Sequence, residues 1–239
     1  MALDFSGKVV LVAGGTGGLG RAVSLAFLES GAQVAVTWRN EKELQTLKDA
    51  ARASANRLAG FDVDVTDTRQ TADLVSRILS QWNHLDVLVN TVGGYAGGVP
   101  LWDLEPEMLE RLLSLNLLSG YALTKATVPQ MIARKSGAIV NVAAKAAWDH
   151  AAGASAYAAT KASAIALMDS LAADLMGSGV RANSILPSII DTAANRAAMP
   201  GADFTKWPKA EDIAKVVLFL ASDDAHVIHG ASIPVFGNN

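Results

Sequence analysis

The chain contains no cysteine among its 239 residues. Disulfides, thiolate nucleophiles and cysteine-ligated metals are therefore excluded, and this composition is typical of a cytoplasmic protein. Charged residues are also scarce, at 18% of the chain with a net charge of −3, and no block of like charges occurs. From such a surface we expect neither a nucleic-acid partner nor an anionic membrane partner.

Long hydrophobic runs and targeting signals are missing as well. No apolar stretch reaches the roughly 18 residues that a membrane-spanning helix needs. Residues 1–5 have neither the basic region nor the apolar region of a signal peptide. Apolar residues are nevertheless abundant, at 51% of the chain. We therefore expect a soluble cytoplasmic protein that buries a large core.

Short β-branched runs alternate with helical patterns along the whole chain. The candidate strands are Val9–Val12, Gln33–Thr37, Arg57–Asp62, Leu85–Asn90, Ala138–Val142, Arg181–Leu186 and Ala231–Val235. The candidate helices lie at about 19–30, 41–54, 68–81, 103–134, 155–177 and 210–221. This alternation predicts parallel βαβ units with right-handed crossovers. We expect one α/β domain over residues 1–239, with a Rossmann-like, doubly wound, mostly parallel seven-stranded sheet and helices on both faces.

Two features near the C-terminus refine this prediction. Pro234 lies inside the last strand pattern, which predicts an edge strand because proline cannot donate to a sheet ladder. Residues 187–209 form a long irregular stretch that contains three prolines and follows a strand. A loop of that length in a compact domain is more often a lid or a binding loop than a linker.

A glycine-rich turn follows the first strand. The apolar run leads directly into Gly14-x3-Gly18-x-Gly20, and a helical pattern follows. Glycines here permit the turn, let backbone N–H groups approach a pyrophosphate and keep the helix close to the strand. A lone motif of this type also fits an ordinary turn, but its strand–turn–helix context indicates a dinucleotide site. Thr16 and Leu19 of the same turn belong to this candidate site.

The ends of the second and third strands bear on which dinucleotide binds. The second strand ends at Thr37-Trp38-Arg39-Asn40, with no acidic residue there to bind a ribose 2′-hydroxyl. Arg39 instead suits a 2′-phosphate, which favours NADP(H) with NAD(H) as the alternative. A solvated loop arginine is the plainer interpretation of Arg39. Asp64 and Val65 follow the third strand and could place a carboxylate near the adenine, although Asp64 also suits a turn or a helix cap.

Tyr157-Ala-Ala-Thr-Lys161 carries the clearest chemistry. A tyrosine and a lysine four residues apart on a helix project from the same face. An ammonium in that position can lower the pKa of the phenol toward neutrality, which makes the hydroxyl a usable proton donor or acceptor. Next to a dinucleotide site, this pair indicates an oxidoreductase.

The motifs together resemble the short-chain dehydrogenase/reductase family over the full length of the chain. The matching residues are Gly14-x3-Gly18-x-Gly20, Asp64-Val65, Leu88-Val89-Asn90, Asn116, Ile139-Val140-Asn141-Val142, Tyr157-x3-Lys161, Asn183 and Pro187-x4-Thr192. Any one of these matches could arise by chance, but the ordered set at family spacing is specific.

This resemblance implies a role for each matching residue. Tyr157 would be the general acid, and Lys161 would lower its pKa and hold the nicotinamide ribose. Asn116 would keep a proton-relay water in place, and Asn90 would lie beside the cofactor. Further cofactor contacts are implied for Pro187, Ile189 and Thr192, the last two at the carboxamide.

One position departs from the family pattern. The family usually has a catalytic serine thirteen residues before the tyrosine, where this chain has Ala144. A methyl group cannot stabilise developing oxyanion charge, and loss of one such donor lowers rates by about 10²–10³-fold. Three explanations compete: a substrate that needs no serine, replacement by Ser155 or a water molecule, and decayed catalysis.

The loops on the substrate side resemble a second, narrower family, dihydropteridine reductase. The segments that carry this resemblance are Gly93–Gly98, Ala144–Ala147, Asp191–Arg196 and the run from Met199 to Trp207. That family also has alanine at the serine position, and its quinonoid substrate is strongly electrophilic. It typically has an acidic residue where this chain has Trp38-Arg39, which puts pterin turnover in doubt. Tyr95, Trp148 and Trp207, with Ala144, are the predicted lining of the substrate pocket.

The chain is therefore expected to be an NAD(P)-dependent enzyme. It would transfer hydride to a small carbonyl or quinonoid acceptor, a class that includes dihydropterin-like compounds. An ordinary ketone/alcohol dehydrogenase and a decayed NADP(H)-binding sensor or scaffold are the alternatives. No metal is expected, because the pair His226-x2-His229 lacks a suitably spaced third ligand. The family commonly forms dimers and tetramers through its long helices, which implies a homo-oligomer.

Overall fold

The structure, a computed structural model, describes residues 3–237. Residues 1, 2, 238 and 239 lie outside the described residues, and so do the two ends of the predicted domain and part of the N-terminal segment considered above.

Over residues 3–237, seven strands form one sheet in which every neighbouring pair is parallel. The strands are β1 Val9–Ala13, β2 Gln33–Trp38, β3 Leu58–Asp62, β4 Val87–Asn90, β5 Gly137–Val142, β6 Val180–Pro187 and β7 Ser232–Val235. Their order is β3-β2-β1-β4-β5-β6-β7, which reverses direction between β1 and β4. Open α/β sheets bind ligands outside the carboxyl ends of the strands at such a point. The predicted fold class is confirmed.

Helices cover both faces of this sheet. Their bounds are α1 Gly18–Glu29, α2 Glu41–Ala51, α3 Thr68–Trp82, α4 Pro106–Leu113, α5 Ser119–Arg134, α6 Ser155–Asp174, α7 Ala193–Ala198 and α8 Ala210–Ala221. Within the described range, no helix combines the length and the apolar character needed to cross a bilayer.

Two large apolar clusters form most of the core of the described residues, one on each face of the sheet, and a smaller third cluster lies around Ile165 and Leu186. Side chains alternate across a strand, so Val10 and Val12 of β1 pack with α1, α2 and α8, whereas Leu11 packs with α3, α5 and α6. The helices contribute residues at helical spacing, as Leu74 and Ile78 of α3 illustrate, both fully buried. Burial of β1 on both faces explains its continuous apolar sequence and fixes the glycine turn at its end.

Several element bounds differ from the predictions for local reasons. The helix predicted at 41–54 ends at Ala51, because Arg52 takes a left-handed backbone conformation with a φ of +49°. The helix predicted at 103–134 begins at Pro106, in agreement with proline's preference for the first turn. It is then interrupted by a π-helical turn, Ser114–Leu118, between α4 and α5. The sequence pattern does not mark this turn.

The C-terminal third contains one confirmation and one correction. β7 lies at the edge of the sheet, as Pro234 predicted. The stretch 187–209, predicted as irregular, contains α7 and a 3₁₀ turn, Phe204–Lys206. An ion pair between Asp191 and Arg196 and a tilted ring contact between Phe204 and Trp207 order this segment.

Candidate active site

The glycine-rich turn closes tightly between β1 and α1. The amide of Gly14 donates to the hydroxyl of Thr37 at 2.9 Å, and Gly14 itself has a φ of +73°. A Cβ at Gly20 would overlap the carbonyl oxygen of Gly14, and one at Gly18 would lie 2.9 Å from Cγ2 of Thr192. The turn therefore has no room for side chains at these two positions. It leaves backbone N–H groups at the N-terminus of α1, an arrangement that could hold a pyrophosphate.

Charged side chains surround the ends of β2 and β3. Nη2 of Arg39 lies 3.6 Å from Oδ2 of Asp64, and both side chains are exposed to solvent. Hydrogen bonds from the hydroxyl and amide of Thr66 hold the pKa of Asp64 below its usual value, with a smaller contribution from Arg39. Asp64 thus acts as a turn residue that also pairs with Arg39. Val65 beside it is buried.

A third charge lies at this edge, on the first turn of α2. The hydroxyl of Thr16 donates to Oε2 of Glu43 at 3.1 Å. Thr16 is buried within the glycine turn, whereas Glu43 is exposed on the helix surface. The carboxylate of Glu43 is therefore held against the mouth of the candidate dinucleotide site.

Tyr157 and Lys161 lie on α6 as their spacing predicted. Lys161 is fully enclosed, and its Nζ donates to the carbonyl oxygen of Val142 at 3.0 Å. Because burial disfavours the charged form, the pKa of Lys161 falls to about 8. Burial raises the pKa of Tyr157 to about 12, and the nearby Tyr95 phenol adds to the rise. The expected lowering of the Tyr157 pKa by Lys161 is therefore not seen, because the ammonium is directed at the Val142 carbonyl and desolvation dominates.

Asn116 lies in the π-helical turn and ties three segments together. Its Nδ2 donates to the carbonyl oxygen of Gly94 and to the hydroxyl of Thr160, each at 3.0 Å. Its Oδ1 accepts from the amide of Gly94 at 2.9 Å. A Cβ on Gly93 would lie 2.9 Å from both Asn116 Oδ1 and Lys161 Nζ. The loop after β4 thus packs closely over the buried lysine, and π turns often occur at functional sites.

The predicted pocket residues are only partly brought together. The Tyr95 ring meets the Tyr157 ring edge-on, with centroids 5.0 Å apart, and remains 68% exposed. Ala144 is buried just after β5, at the start of the 3₁₀ turn Lys145–Ala147, and Trp148 follows this turn with 51% exposure. Trp207 instead packs against Phe204 within the segment 187–209.

The remaining predicted cofactor residues occupy the ends of β4 and β6. Nδ2 of Asn90 donates to Oδ1 of Asn141 at 3.1 Å, and its Oδ1 accepts from the amide of Val92. Thr192 caps α7 by accepting from the amide of Asn195, and its methyl group faces Gly18. Pro187 is buried at the end of β6, and Ile189 is exposed just beyond it.

Ser155 is poorly placed to replace the missing serine. Residues two apart on a helix do not share a face, so Ser155 points away from the face of α6 that carries Tyr157. Within residues 3–237 its buried Oγ has no hydrogen-bond partner, and Ser155 lines a cavity of about 140 Å³ together with Asp103 and Glu105. This placement argues against Ser155 as the substrate's hydrogen-bond donor.

Three residues of the site were not predicted from the sequence. Gly94 and Thr160 hold Asn116, and Glu43 holds Thr16. Thr160 lies inside the Tyr-x3-Lys motif, so its position next to Lys161 was the available signal. Glu43 lies 23 residues after Gly20, close to the spacing at which dinucleotide sites place an acidic residue.

No metal centre is formed in the described part of the chain, where no group of three or more histidine, aspartate or glutamate side chains is suitably arranged. His229 accepts from the amide of Ala182 at 3.2 Å through Nδ1, and Nε2 lies 2.8 Å from the carbonyl oxygen of Ala172. His229 therefore makes ordinary polar contacts.

Comparison with known proteins identifies the class. The family profile described as short chain dehydrogenase matches residues 8–202. The 3-oxoacyl-(acyl-carrier-protein) reductase FabG of Thermotoga maritima is 30% identical over 243 residues, which cover 98% of each protein. The solved structure of ElxO with NADP bound has a TM-score of 0.91 at 25% identity, covering 96% of this chain and 97% of ElxO. An NAD⁺-bound xylitol dehydrogenase has a TM-score of 0.88 at 25% identity, covering 97% of this chain and 98% of the xylitol dehydrogenase.

The chain belongs to the short-chain dehydrogenase/reductase family. It is an oxidoreductase of the short-chain dehydrogenase/reductase type.

Proposed function

We propose that the protein reduces a small cyclic or conjugated carbonyl or quinonoid acceptor, with Tyr157 as the proton donor. The observation that carries this proposal is the group formed by Tyr157, Lys161 and Asn116 beneath the loop after β4. The Tyr157 side chain is partly buried, and its ring packs edge-on against the exposed ring of Tyr95. We expect a substrate oxygen or nitrogen to reach the phenol from this exposed side.

The dinucleotide would lie along the carboxyl edge of β1, β4 and β6. Its pyrophosphate would bind the N–H groups of the turn containing Gly14, Gly18, Leu19 and Gly20. Three polar groups, Thr16, Arg39 and Asp64, surround the adenosine end, and Asn90, Pro187, Ile189 and Thr192 would line the nicotinamide end. The lack of space for side chains at Gly18 and Gly20 fits a group that needs close backbone approach. When bound, NAD(P)H supplies the hydride.

The high pKa of Tyr157 favours reduction. A phenol with a pKa of about 12 keeps its proton throughout the neutral range, so the form that donates a proton predominates. The buried Lys161 ammonium donates a hydrogen bond to the Val142 carbonyl and so holds α6 against the end of β5. It loses its charge as the pH rises through its pKa of about 8.

We expect the rate of acceptor reduction to be nearly constant from about pH 6 to pH 8, because Tyr157 stays protonated there. Alcohol oxidation needs the deprotonated phenol, so its rate is expected to rise with pH over the same range. Steady-state kcat profiles in both directions test this. If the reduction rate instead falls steeply as the pH rises from about 6 to 8, protonated Tyr157 is not the donor.

The acceptor is expected to be strongly electrophilic and planar. Ala144 offers no hydroxyl to a substrate oxygen, and Ser155 is turned away from the catalytic face. The exposed rings of Tyr95 and Trp148 are suited to stacking on a planar conjugated ring. The resemblance of the surrounding loops to dihydropteridine reductase supports a quinonoid dihydropterin as one such acceptor.

Restoring the missing hydroxyl tests this assignment. We expect Ala144→Ser to raise kcat/KM for simple ketones by about 10²-fold, the usual contribution of one oxyanion donor. The value for a quinonoid acceptor should change by less than about threefold, because that acceptor develops little oxyanion charge. Equal gains for both acceptors, measured in parallel, would contradict the proposed acceptor class.

We also propose a cytoplasmic homo-oligomer, a dimer or a tetramer. Leu118, Tyr121 and Ile132 are exposed large apolar side chains on the π turn and α5, the helix that the family commonly uses for assembly. The mass of the purified protein by light scattering tests the assembly, and a monomer at micromolar concentration would contradict it.

A further inference from the structure

The preference for NADP(H) expected from Arg39 is opposed by a nearby negative charge, the carboxylate of Glu43. Arg39 is a positive group near the site of a 2′-phosphate, and its nearest anionic partner is Asp64 at 3.6 Å. Exposed ion pairs of this kind are weak, so Arg39 remains available to a ligand. Glu43, however, is held at the same edge of the sheet through its hydrogen bond from Thr16.

Glu43 supplies the same chemical group, a carboxylate, as the acidic residue of NAD-binding sites. It lies on α2, however, and not at the end of β2. Dinucleotide sites of this fold place a carboxylate about 20 residues after the glycine turn, where it accepts from the ribose 2′-hydroxyl. No acid ends β2 here, but Glu43 on the first turn of α2 contacts the glycine turn itself. Its carboxylate has a second oxygen, Oε1, that receives no hydrogen bond from Thr16.

We propose that Glu43 is a cofactor-selecting residue that opposes Arg39. This inference rests on the proposed dinucleotide binding. The carboxylate accepts a hydrogen bond from the adenosine ribose of NAD(H), and it repels the 2′-phosphate of NADP(H), which carries nearly two negative charges. The enzyme therefore binds both cofactors, with a smaller preference for NADPH than Arg39 alone would produce.

The hydrogen bond from Thr16 makes this effect specific to position 43. A free glutamate on a helix surface would move away from an incoming phosphate, because long side chains lose little by changing rotamer in water. Thr16 is buried in the glycine turn and fixes one end of the contact. A 2′-phosphate that binds beside the turn has to break this contact or tolerate the carboxylate nearby, whereas a ribose 2′-hydroxyl can donate to it.

The test is a comparison of NADPH and NADH dissociation constants by isothermal titration for the wild type, Glu43→Gln and Glu41→Gln. Glutamine keeps a side-chain oxygen that accepts from Thr16 and removes only the charge. We expect Glu43→Gln to tighten NADPH binding relative to NADH by about tenfold, the size of one nearby like-charge interaction at a protein surface.

Glu41 is the matched control, since it is exposed on the same turn of α2, and among the hydrogen bonds of residues 3–237 it is Glu43, not Glu41, that meets the glycine turn. Glu41→Gln should change the ratio by less than about twofold, because screened surface charges interact weakly. An unchanged ratio in Glu43→Gln, or an equal loss for both nucleotides, would overturn the inference while leaving dinucleotide binding intact. Failure of the wild type to bind either nucleotide would instead refute the proposed function, and this inference with it.

Discussion

Replacing Tyr157 by phenylalanine is expected to lower kcat for acceptor reduction by about 10²–10⁴-fold, the range for loss of a general acid. The ring packs edge-on against Tyr95 in the wild type, and phenylalanine can keep that contact. NADPH affinity should change by less than about threefold, because the hydroxyl acts on the substrate's proton rather than on the dinucleotide. Steady-state kinetics and titration of NADPH measure the two effects separately.

Tyr121→Phe is the control for this substitution. Tyr121 is exposed on α5, and its hydroxyl contacts only Lys125 among the described hydrogen bonds. The same loss of a phenolic oxygen at this position should leave kcat unchanged. Wild-type turnover in Tyr157→Phe would show that the proton comes from another group.

Gly20→Ala is expected to weaken binding of both nucleotides by about 10²-fold, because a displacement of about 1 Å in a binding turn has effects of that size. The added Cβ would overlap the Gly14 carbonyl oxygen, a backbone atom that cannot rotate away. We also expect the free energy of unfolding to fall by about 1–3 kcal/mol, as for other overpacked sites. In a chain of this length, Tm would then fall by about 2–12 °C.

Gly17→Ala provides the matched control within the same turn. A Cβ at Gly17 would lie 3.5 Å from the Gly14 carbonyl oxygen, an ordinary contact, and its φ of −72° suits alanine. Its Tm should stay within about 2 °C of the wild type, the usual range for a neutral surface change. Equal Tm values for Gly20→Ala and the wild type would contradict the described packing of the turn.

Most of the fold could be predicted from the sequence because its signals are local. The strand β1 reads as an uninterrupted apolar run, since helices cover both of its faces. Pro234 marks an edge strand, because proline cannot donate to a sheet ladder. Spacing along a helix also places Tyr157 and Lys161 on one face of α6.

The features that the sequence did not reveal depend on contacts between distant segments. The direction of the Tyr157 pKa shift follows from burial and from where the Lys161 ammonium points, and neither is encoded in the spacing of the motif. The hydrogen bond between Thr16 and Glu43 forms because the fold brings α2 next to the glycine turn, and no sequence pattern marks it. The π-helical turn around Asn116 likewise has no periodicity that differs from an ordinary helix.

Lys161 holds two elements of the fold together in addition to the role that its motif implies. In the described structure it holds the β5 end to α6 through the Val142 carbonyl, under a loop whose Gly93 could not carry a side chain. Tyr157 and Lys161 lie on the same helix under this loop, and Asn116 holds the loop in place through its hydrogen bond with Gly94. Substitutions in this group are expected to be non-additive.

The most direct test of the central claim is the transfer of deuterium from nicotinamide-labelled NADPH to a quinonoid dihydropterin, with a simple ketone in parallel. Because hydride accepted by the pterin ends on a ring nitrogen and exchanges with water, the readout is the rate of NADPH oxidation. We predict that deuterium at the nicotinamide C4 position will slow this oxidation, that the rate will depend strongly on Tyr157, and that oxidation with the ketone will be much slower. Absence of acceptor-dependent NADPH oxidation with both acceptors, under conditions in which NADPH binds, would contradict hydride transfer to the proposed class of acceptor.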